Sequence, residues 1–217
     1  MKATIKGKTF EVASQPADYW HWIAEGRYNS EFEVYDRYLT PEHTFVDLGA
    51  WVGGHTLYAS TIAQTLVAVE PDPVAYKILQ ENVKRWPTLP LAISDKAGVV
   101  TLGSGFLGAS TTRVNPAAGS GIGPWVEGQT CEDECATLRE LLKKFADPLF
   151  IKIDIEGSEE AIFTDLELFK ERKPTVLVEL HPFWWKDVSK TWQDFEALKA
   201  LYPNRKEICG NTWVLHD

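Results

Sequence analysis

The period of apolar and polar positions changes several times along the chain, and each change marks an element. Residues 2–12, KATIKGKTFEV, set β-favouring residues on both sides of Gly7 and predict a small hairpin. Tyr19, Trp20, Trp22 and Ile23 form an aromatic helical stretch that stops near Gly26, and Phe32, Tyr35 and Leu39 recur at helical spacing until Pro41. An apolar run, Phe45-Val46, then stops at Asp47 and passes into the loop Gly49-Ala50-Trp51-Val52-Gly53-Gly54. An amphipathic segment follows, and a second apolar run, Leu66 to Val69, ends on Glu70. The order is strand, glycine turn, helix, strand, acid. Asp72 and Pro73 supply an N-cap and a first-turn proline for a helix with Val74, Ile78, Leu79, Val83 and Trp86 on one face, closed by Pro87. LPLAI at 89–93 predicts a third strand, with Ser94 and Asp95 at its tip.

Residues 103–130 hold many glycines and no sustained period, which predicts a lid or substrate arm, with disorder without function as the alternative. Thr137 and Glu140 make a capping box for a helix with Leu138, Leu141, Leu142 and Phe145 on one face. Phe150, Ile151 and Ile153 read as a buried parallel strand that ends on Asp154, and Glu156, Gly157 and Ser158 turn into the next helix. Residues 174–182 predict a fifth strand ending on His181. Trp192, Phe195, Leu198 and Leu201 form a last helical face, and Gly210-Asn211 joins a closing hairpin. Strands that alternate with helices predict an α/β fold with a Rossmann-like doubly wound, mostly parallel sheet. Residues 1–40 form a hairpin and helical cap over the strand tips, and 41–217 the main domain, as a single compact unit.

Composition narrows the function. The chain has 217 residues, 44% of them apolar, enough for one domain with a proper core. A net charge of −9 argues against a large nucleic-acid footprint, since phosphate neutralisation needs a basic face. No apolar run is long enough to cross a bilayer, and MKATIKGKTF lacks the apolar centre of a signal peptide. Cys131, Cys135 and Cys209 read as reduced thiols, and the expected location is cytoplasmic. CEDEC has no zinc-ribbon spacing, so the two cysteines in it read as structural or incidental.

The glycine loop carries the candidate chemistry. A dinucleotide fingerprint needs a second glycine two positions after the first, so that backbone can approach a pyrophosphate. Trp51 stands there instead, and the spacing is Gly49-x-x-x-Gly53. That suits a ligand with an adenosine half and a charged, phosphate-free tail, its ribose hydroxyls held by Glu70; S-adenosylmethionine meets this better than NAD. Any parallel sheet also needs a glycine turn after its first strand, so the ligand reading leans on Asp47 and Glu70 at the strand tips. Asp95 reads either as a polar group facing adenine or as a turn residue. Asp47, Glu70, Asp154, Glu156 and His181 all fall at the carboxyl ends of strands, where open α/β sheets bind ligands.

The segments DLGAWVGGHTLYAS, VAVEPDPVAYKILQENV, LAISD, FIKIDIEGSEEAIF and VLVELHP, in that order, resemble the FkbM-type S-adenosylmethionine-dependent methyltransferases. The resemblance spans roughly residues 30–182, and its most specific block is IKIDIEGSE. It implies a class I methyltransferase fold and cofactor contacts from Asp47, Gly49, Ala50, Gly53 and Glu70, with Asp72 and Asp95 in addition. It implies a catalytic region at Asp154, Glu156 and His181, and O-methylation of a hydroxyl on a sugar or other small metabolite. Trp51 and His55 depart from the family pattern, which has Asn and an aromatic there.

His181 is the expected general base, because it titrates near neutral pH, with Asp154 as the competing candidate. A Mg²⁺ ion on Asp154, Glu156 and His181 is the disfavoured variant, since these acids can instead pair with Lys152 or Arg113. Other classes are an N-methyltransferase, a nicotinamide-dependent oxidoreductase and a non-catalytic binding protein. The oxidoreductase is disfavoured by Trp51, and decay of the site by the intact strand-tip acids.

Overall fold

The computed structural model describes residues 1–103, 113–114 and 130–217. The chain opens with a hairpin, β1 (Lys2–Ile5) and β2 (Lys8–Glu11), which forms its own two-stranded sheet, followed by α1 (Ala17–Ala24) and α2 (Asn29–Tyr38). Next come β3 (Thr44–Leu48), α3 (Gly54–Ala59), β4 (Thr65–Val69), α4 (Pro73–Asn82), β5 (Thr88–Leu89), β6 (Ala92–Ile93), β7 (Gly98–Gly103), β8 (Arg113–Val114) and β9 (Thr130–Ala136). The second half holds α5 (Leu138–Leu142), β10 (Leu149–Ile153), α6 (Glu159–Phe163), α7 (Leu166–Arg172), β11 (Thr175–Glu179), α8 (Val188–Ala200), β12 (Asn204–Cys209) and β13 (Thr212–His216).

The main sheet runs β12-β13-β11-β10-β3-β4-β5. The five strands from β11 to β5 are mutually parallel, and β13 is antiparallel to both β11 and β12. The strand order reverses between β3 and β10, which makes their carboxyl ends the switch point where a ligand crevice opens. A second sheet, β6-β9-β7-β8, stands beside it.

Alternation along the strands divides the core between the two faces of the main sheet. Phe45 and Phe150 join Leu177 and Val214 on one face, under Trp20, Ile23, Phe32 and Tyr35 of α1 and α2. Val46, Leu48, Ile151, Ile153 and Val178 point to the other face, where Leu141, Phe163, Phe169 and Phe195 cover them. Each such side chain, taken fully from water, contributes about 1.5–3 kcal/mol. On the first face Asp47 and Lys152 are register partners on adjacent strands, so a charged pair stands at the sheet's centre.

The structure corrects several expectations. LPLAI is not one strand: Leu89 ends β5 in the main sheet, while Ala92 and Ile93 form β6 of the second sheet. Pro90, without an N–H to give a ladder, separates them. The helix after Asp72 stops at Asn82, short of Trp86. Strand β11 ends at Glu179, so His181 lies beyond it, at the start of a 3₁₀ turn. Residues 98–103 and 130–136 are long antiparallel strands, and CEDEC is part of β9, with Cys135 buried against Val100 and Leu102. Helix α7 had no counterpart in the sequence pattern. The expected lid lies outside the described residues, apart from its ends and residues 113–114. The first forty residues pack over a face of the main sheet rather than only over the strand tips. The hairpin around Gly7, the capping box at Thr137 and the closing hairpin are present.

Candidate active site

The glycine loop is shaped by contacts a side chain would prevent. Gly49 has φ +74°, and a Cβ there would collide with the Asp154 carbonyl oxygen, so glycine lets the loop lie against the end of β10. Gly53 has φ +91° and presses on Leu79 of α4 and on Val83 just past its end. Four of the loop's N–H donors are spent within the protein. The N–H groups of Gly49 and Ala50 both reach Val69 O at 3.0 Å, Gly53 N–H reaches Ala50 O at 2.8 Å, and Trp51 N–H reaches Glu70 Oε2 at 2.8 Å. None of these four is left for a pyrophosphate.

Glu70 closes one end of a cavity of about 420 Å³ that runs along the switch point, past Gly49, Ala50 and Trp51, to Asp154, Glu156 and His181. Its second oxygen accepts Asp72 N–H at 2.8 Å. A carboxylate offers about four acceptor positions, so two remain for a diol. Burial pushes Glu70 up to about 7, against the two backbone donors. Trp51 lines the cavity too, its ring edge-to-face with Tyr19 at 4.6 Å. His55 also lines it; burial, with help from Lys152, lowers this imidazole to about 4, and Tyr35 Oη lies 2.9 Å from its Nδ1.

Lys152 links the two halves of the site. Its ammonium is 3.2 Å from Asp47 Oδ1, 3.2 Å from Asp154 Oδ2, and donates to Gly49 O at 2.7 Å. Burial opposes its charge, but Asp154 and Asp47 outweigh that and hold it above the ordinary lysine range. Asp47 itself is fully buried and accepts Thr56 Oγ1–H at 2.6 Å.

At the other end of the cavity a ring of acids surrounds His181. Its Nδ1 is 3.0 Å from Glu159 Oε1, while Nε2 lies 3.6 Å from Glu156 Oε2 and 3.8 Å from Asp154 Oδ1. Glu159 is fully buried; it also accepts Gly157 N–H at 3.0 Å and Trp185 Nε1–H at 2.8 Å. Burial would lower His181, but Glu159, Asp154 and Glu156 push it up to about 10. Burial and the neighbouring acids raise Glu156, partly offset by His181. Burial would raise Asp154 too, but Lys152 and His181 outweigh it and hold Asp154 below the usual carboxylate range.

The sequence candidates therefore separate into three groups. Gly49, Ala50, Glu70, Asp154, Glu156 and His181 line one cavity. Asp47, Gly53 and Asp72 stand behind its wall; Asp72 is the N-cap of α4, accepting the N–H groups of Val74 and Ala75. Asp95 is exposed and lines a second cavity of about 570 Å³, with Phe183, Trp184 and Lys190, that shares Glu156 and Ser158 with the first. Glu159, Asp154 and Glu156 favour the protonated form of His181, which weighs against the expectation of it as base and toward Asp154, the competing candidate. Sequence reasoning passed over Glu159 and took Lys152 only as a salt-bridge partner for the strand-tip acids. Glu159 had a faint signal, as the first glutamate after EGS. Lys152 had a clearer one: a lysine inside an otherwise apolar strand.

A Rossmann-like sheet with one antiparallel strand near its edge, and a crevice at the switch point lined by the acid that follows β4, defines a protein of the class I methyltransferase fold. More narrowly, residues 47–207 match the family model described as the methyltransferase FkbM domain, and the chain belongs to that family. Among solved structures it is similar to the methyltransferase FkbM from Methylobacillus flagellatus KT, at 15% identity and a TM-score of 0.54, over 91% of this chain and 52% of that one. The chain thus spans about half the length of that relative. It is also similar to a precorrin-6y C5,15-methyltransferase from Geobacter metallireducens GS-15, at 12% identity and a TM-score of 0.45, over 95% of this chain and 91% of that one. Among curated proteins, none matches the chain. Membership of the family supports a methyltransferase activity. Among the described residues, no helix is long and apolar enough to cross a membrane.

Proposed function

We propose that this protein is an S-adenosylmethionine-dependent methyltransferase acting on a hydroxyl of a small polyol or sugar. The observation that carries the reading is the single cavity with Glu70 at one end and the Asp154–Glu156–His181 cluster at the other. The residues fit the donor: Glu70 keeps acceptor capacity for two ribose hydroxyls, and the glycine loop's spent N–H groups favour a tail without phosphate. Glu70, Gly49 and Ala50 would hold it. When bound, S-adenosylmethionine supplies an electrophilic methyl group on a sulfonium.

The chain's own residues do the rest. Asp154, ionised beside Lys152, accepts the acceptor hydroxyl's proton as its oxygen becomes nucleophilic. The imidazolium of His181 draws the Asp154 and Glu156 carboxylates toward one point and so orients them. Lys152 holds Asp154 and the Gly49 carbonyl in fixed relation, which keeps the two ends of the cavity in register. Alignment of this kind supplies up to about 7–11 kcal/mol of a barrier. The acceptor enters from the second cavity, where exposed Phe183 and half-buried Trp184 offer ring surface to a sugar and Asp95 and Glu156 accept from its hydroxyls.

The test is calorimetric titration with S-adenosylhomocysteine, with NAD as control. Micromolar binding to the first and none to the second supports the reading. Binding of NAD with indifference to S-adenosylhomocysteine would point to the oxidoreductase class instead.

A further inference from the structure

Asp154, Glu156 and His181 can each offer one ligand atom, and these three atoms lie within 4.8 Å of one another. The spacing is informative because the groups converge without bonding. Nε2 of His181 stops 3.6 Å from Glu156 Oε2 and 3.8 Å from Asp154 Oδ1. A charge-assisted hydrogen bond would close such a gap to about 2.7–2.9 Å. Cis ligands around a small divalent ion at about 2.1 Å stand roughly 3 Å apart, so drawing the trio in from its present spread of up to 4.8 Å makes one face of an octahedron.

A second observation is independent of the acids on that face. Glu159 is fully buried and held by Trp185 and by the Gly157 N–H, and it lies on Nδ1 of His181 at 3.0 Å. Glu159 is placed to accept from Nδ1–H, which keeps its hydrogen, and Nε2, turned toward Glu156 and Asp154, is the nitrogen whose proton an ion would displace. A carboxylate behind a histidine, fixing its tautomer and aim, is the usual support of a metal-bound imidazole. Lys152 does not remove Asp154 from the set, because it takes Oδ2 and leaves Oδ1 facing His181. The three side chains are partly exposed, so an ion has a path in.

We infer that Asp154, Glu156 and His181 form a divalent-cation site, with Glu159 as its positioning residue, at the junction of the two cavities. One nitrogen and two oxygens suit Mn²⁺ or Zn²⁺ better than Mg²⁺, which prefers oxygen alone. Three protein ligands leave open positions, and all three line the first cavity while Glu156 lines the second as well. The matching acceptor is one with two neighbouring oxygens, a vicinal diol or hydroxy acid, which the ion grips as a chelate. With an ion bound, Asp154 would serve as its ligand instead of taking the hydroxyl proton, and the ion in place of the Nε2 proton would draw the two carboxylates together. That role in catalysis rests on the methyl-transfer reading; the binding of the ion does not.

The experiment is a titration of the metal-stripped full chain with Mn²⁺, without methyl donor, followed by the loss of the free-ion paramagnetic resonance signal and by calorimetry. The expected result is one Mn²⁺ per chain. His181→Ala and Glu156→Gln should each weaken it at least tenfold, and Glu159→Gln by about 10–100-fold while the melting temperature stays near wild type. A Glu159→Gln chain that unfolds leaves the decision to the other two variants. Zn²⁺ is titrated in parallel. No saturable binding of either ion, or binding indifferent to both His181→Ala and Glu156→Gln, overturns the site. S-adenosylhomocysteine is titrated separately in chelator: if it binds while the metals do not, only the cation site is wrong, and if it fails, the methyl-donor reading is what fails.

Discussion

At the residue scale, the charge on Glu70 is the most directly measurable feature. Its folded-state value of about 7 means that near neutral pH the carboxyl is partly protonated. Ribose hydroxyls donate to the ionised form, so a proton on Glu70 competes with them. Affinity for S-adenosylhomocysteine should therefore be full above pH 7 and fall by up to about tenfold per unit below it. Titrations from pH 6 to 8.5 would check this, and Glu70→Gln should flatten the profile while weakening binding about tenfold or more. A second prediction concerns the buried Lys152. Asp47→Ala removes its most buried partner, and losing one side of such a pair costs about 3–5 kcal/mol. Denaturant unfolding should show that loss; a change under 1 kcal/mol would mean that Asp154 and the Gly49 carbonyl suffice.

At the scale of elements, the glycine loop and the turn after β10 are built against each other. Gly49→Ala forces a left-handed residue and a collision with backbone, not with a side chain that can swing away. The strain of the conformation alone is roughly 1–2 kcal/mol. The variant should lose several degrees of melting temperature and most of its S-adenosylhomocysteine binding, read by thermal scanning and calorimetry. Retained binding would show that the loop relaxes without moving Trp51 or Glu70. These elements were legible in the sequence because glycine spacing and strand-tip acids are local signals. The small sheet was not. Strands β7 and β9 pair across the stretch from Gly103 to Thr130, and charged, alternating CEDEC reads as a strand only once its partner is known. The split of LPLAI had a local cause, Pro90, yet its assignment to two sheets did not.

At the scale of the whole molecule, the first forty residues belong to the architecture of the site. Phe32 and Trp20 are buried on the face of the sheet that carries Asp47 and Lys152, and Tyr19 and Tyr28 reach the cavity. Phe32→Ala should cost about 3–5 kcal/mol in urea unfolding. A loss below 1 kcal/mol would mean that α2 is peripheral cover. The α/β class, the glycine turn and the acids at the ends of β3, β4 and β10 were determined by the sequence alone, since hydrophobic period, turn chemistry and capping act within a few residues. Tertiary structure decided the roles. It sank Asp47 beneath the loop, set Lys152 between two carboxylates, and ringed His181 with acids that favour its protonated form. Those outcomes depend on burial and on charges brought together from β3, β10, α6 and the segment after β11, and such distances exist only once the chain has folded.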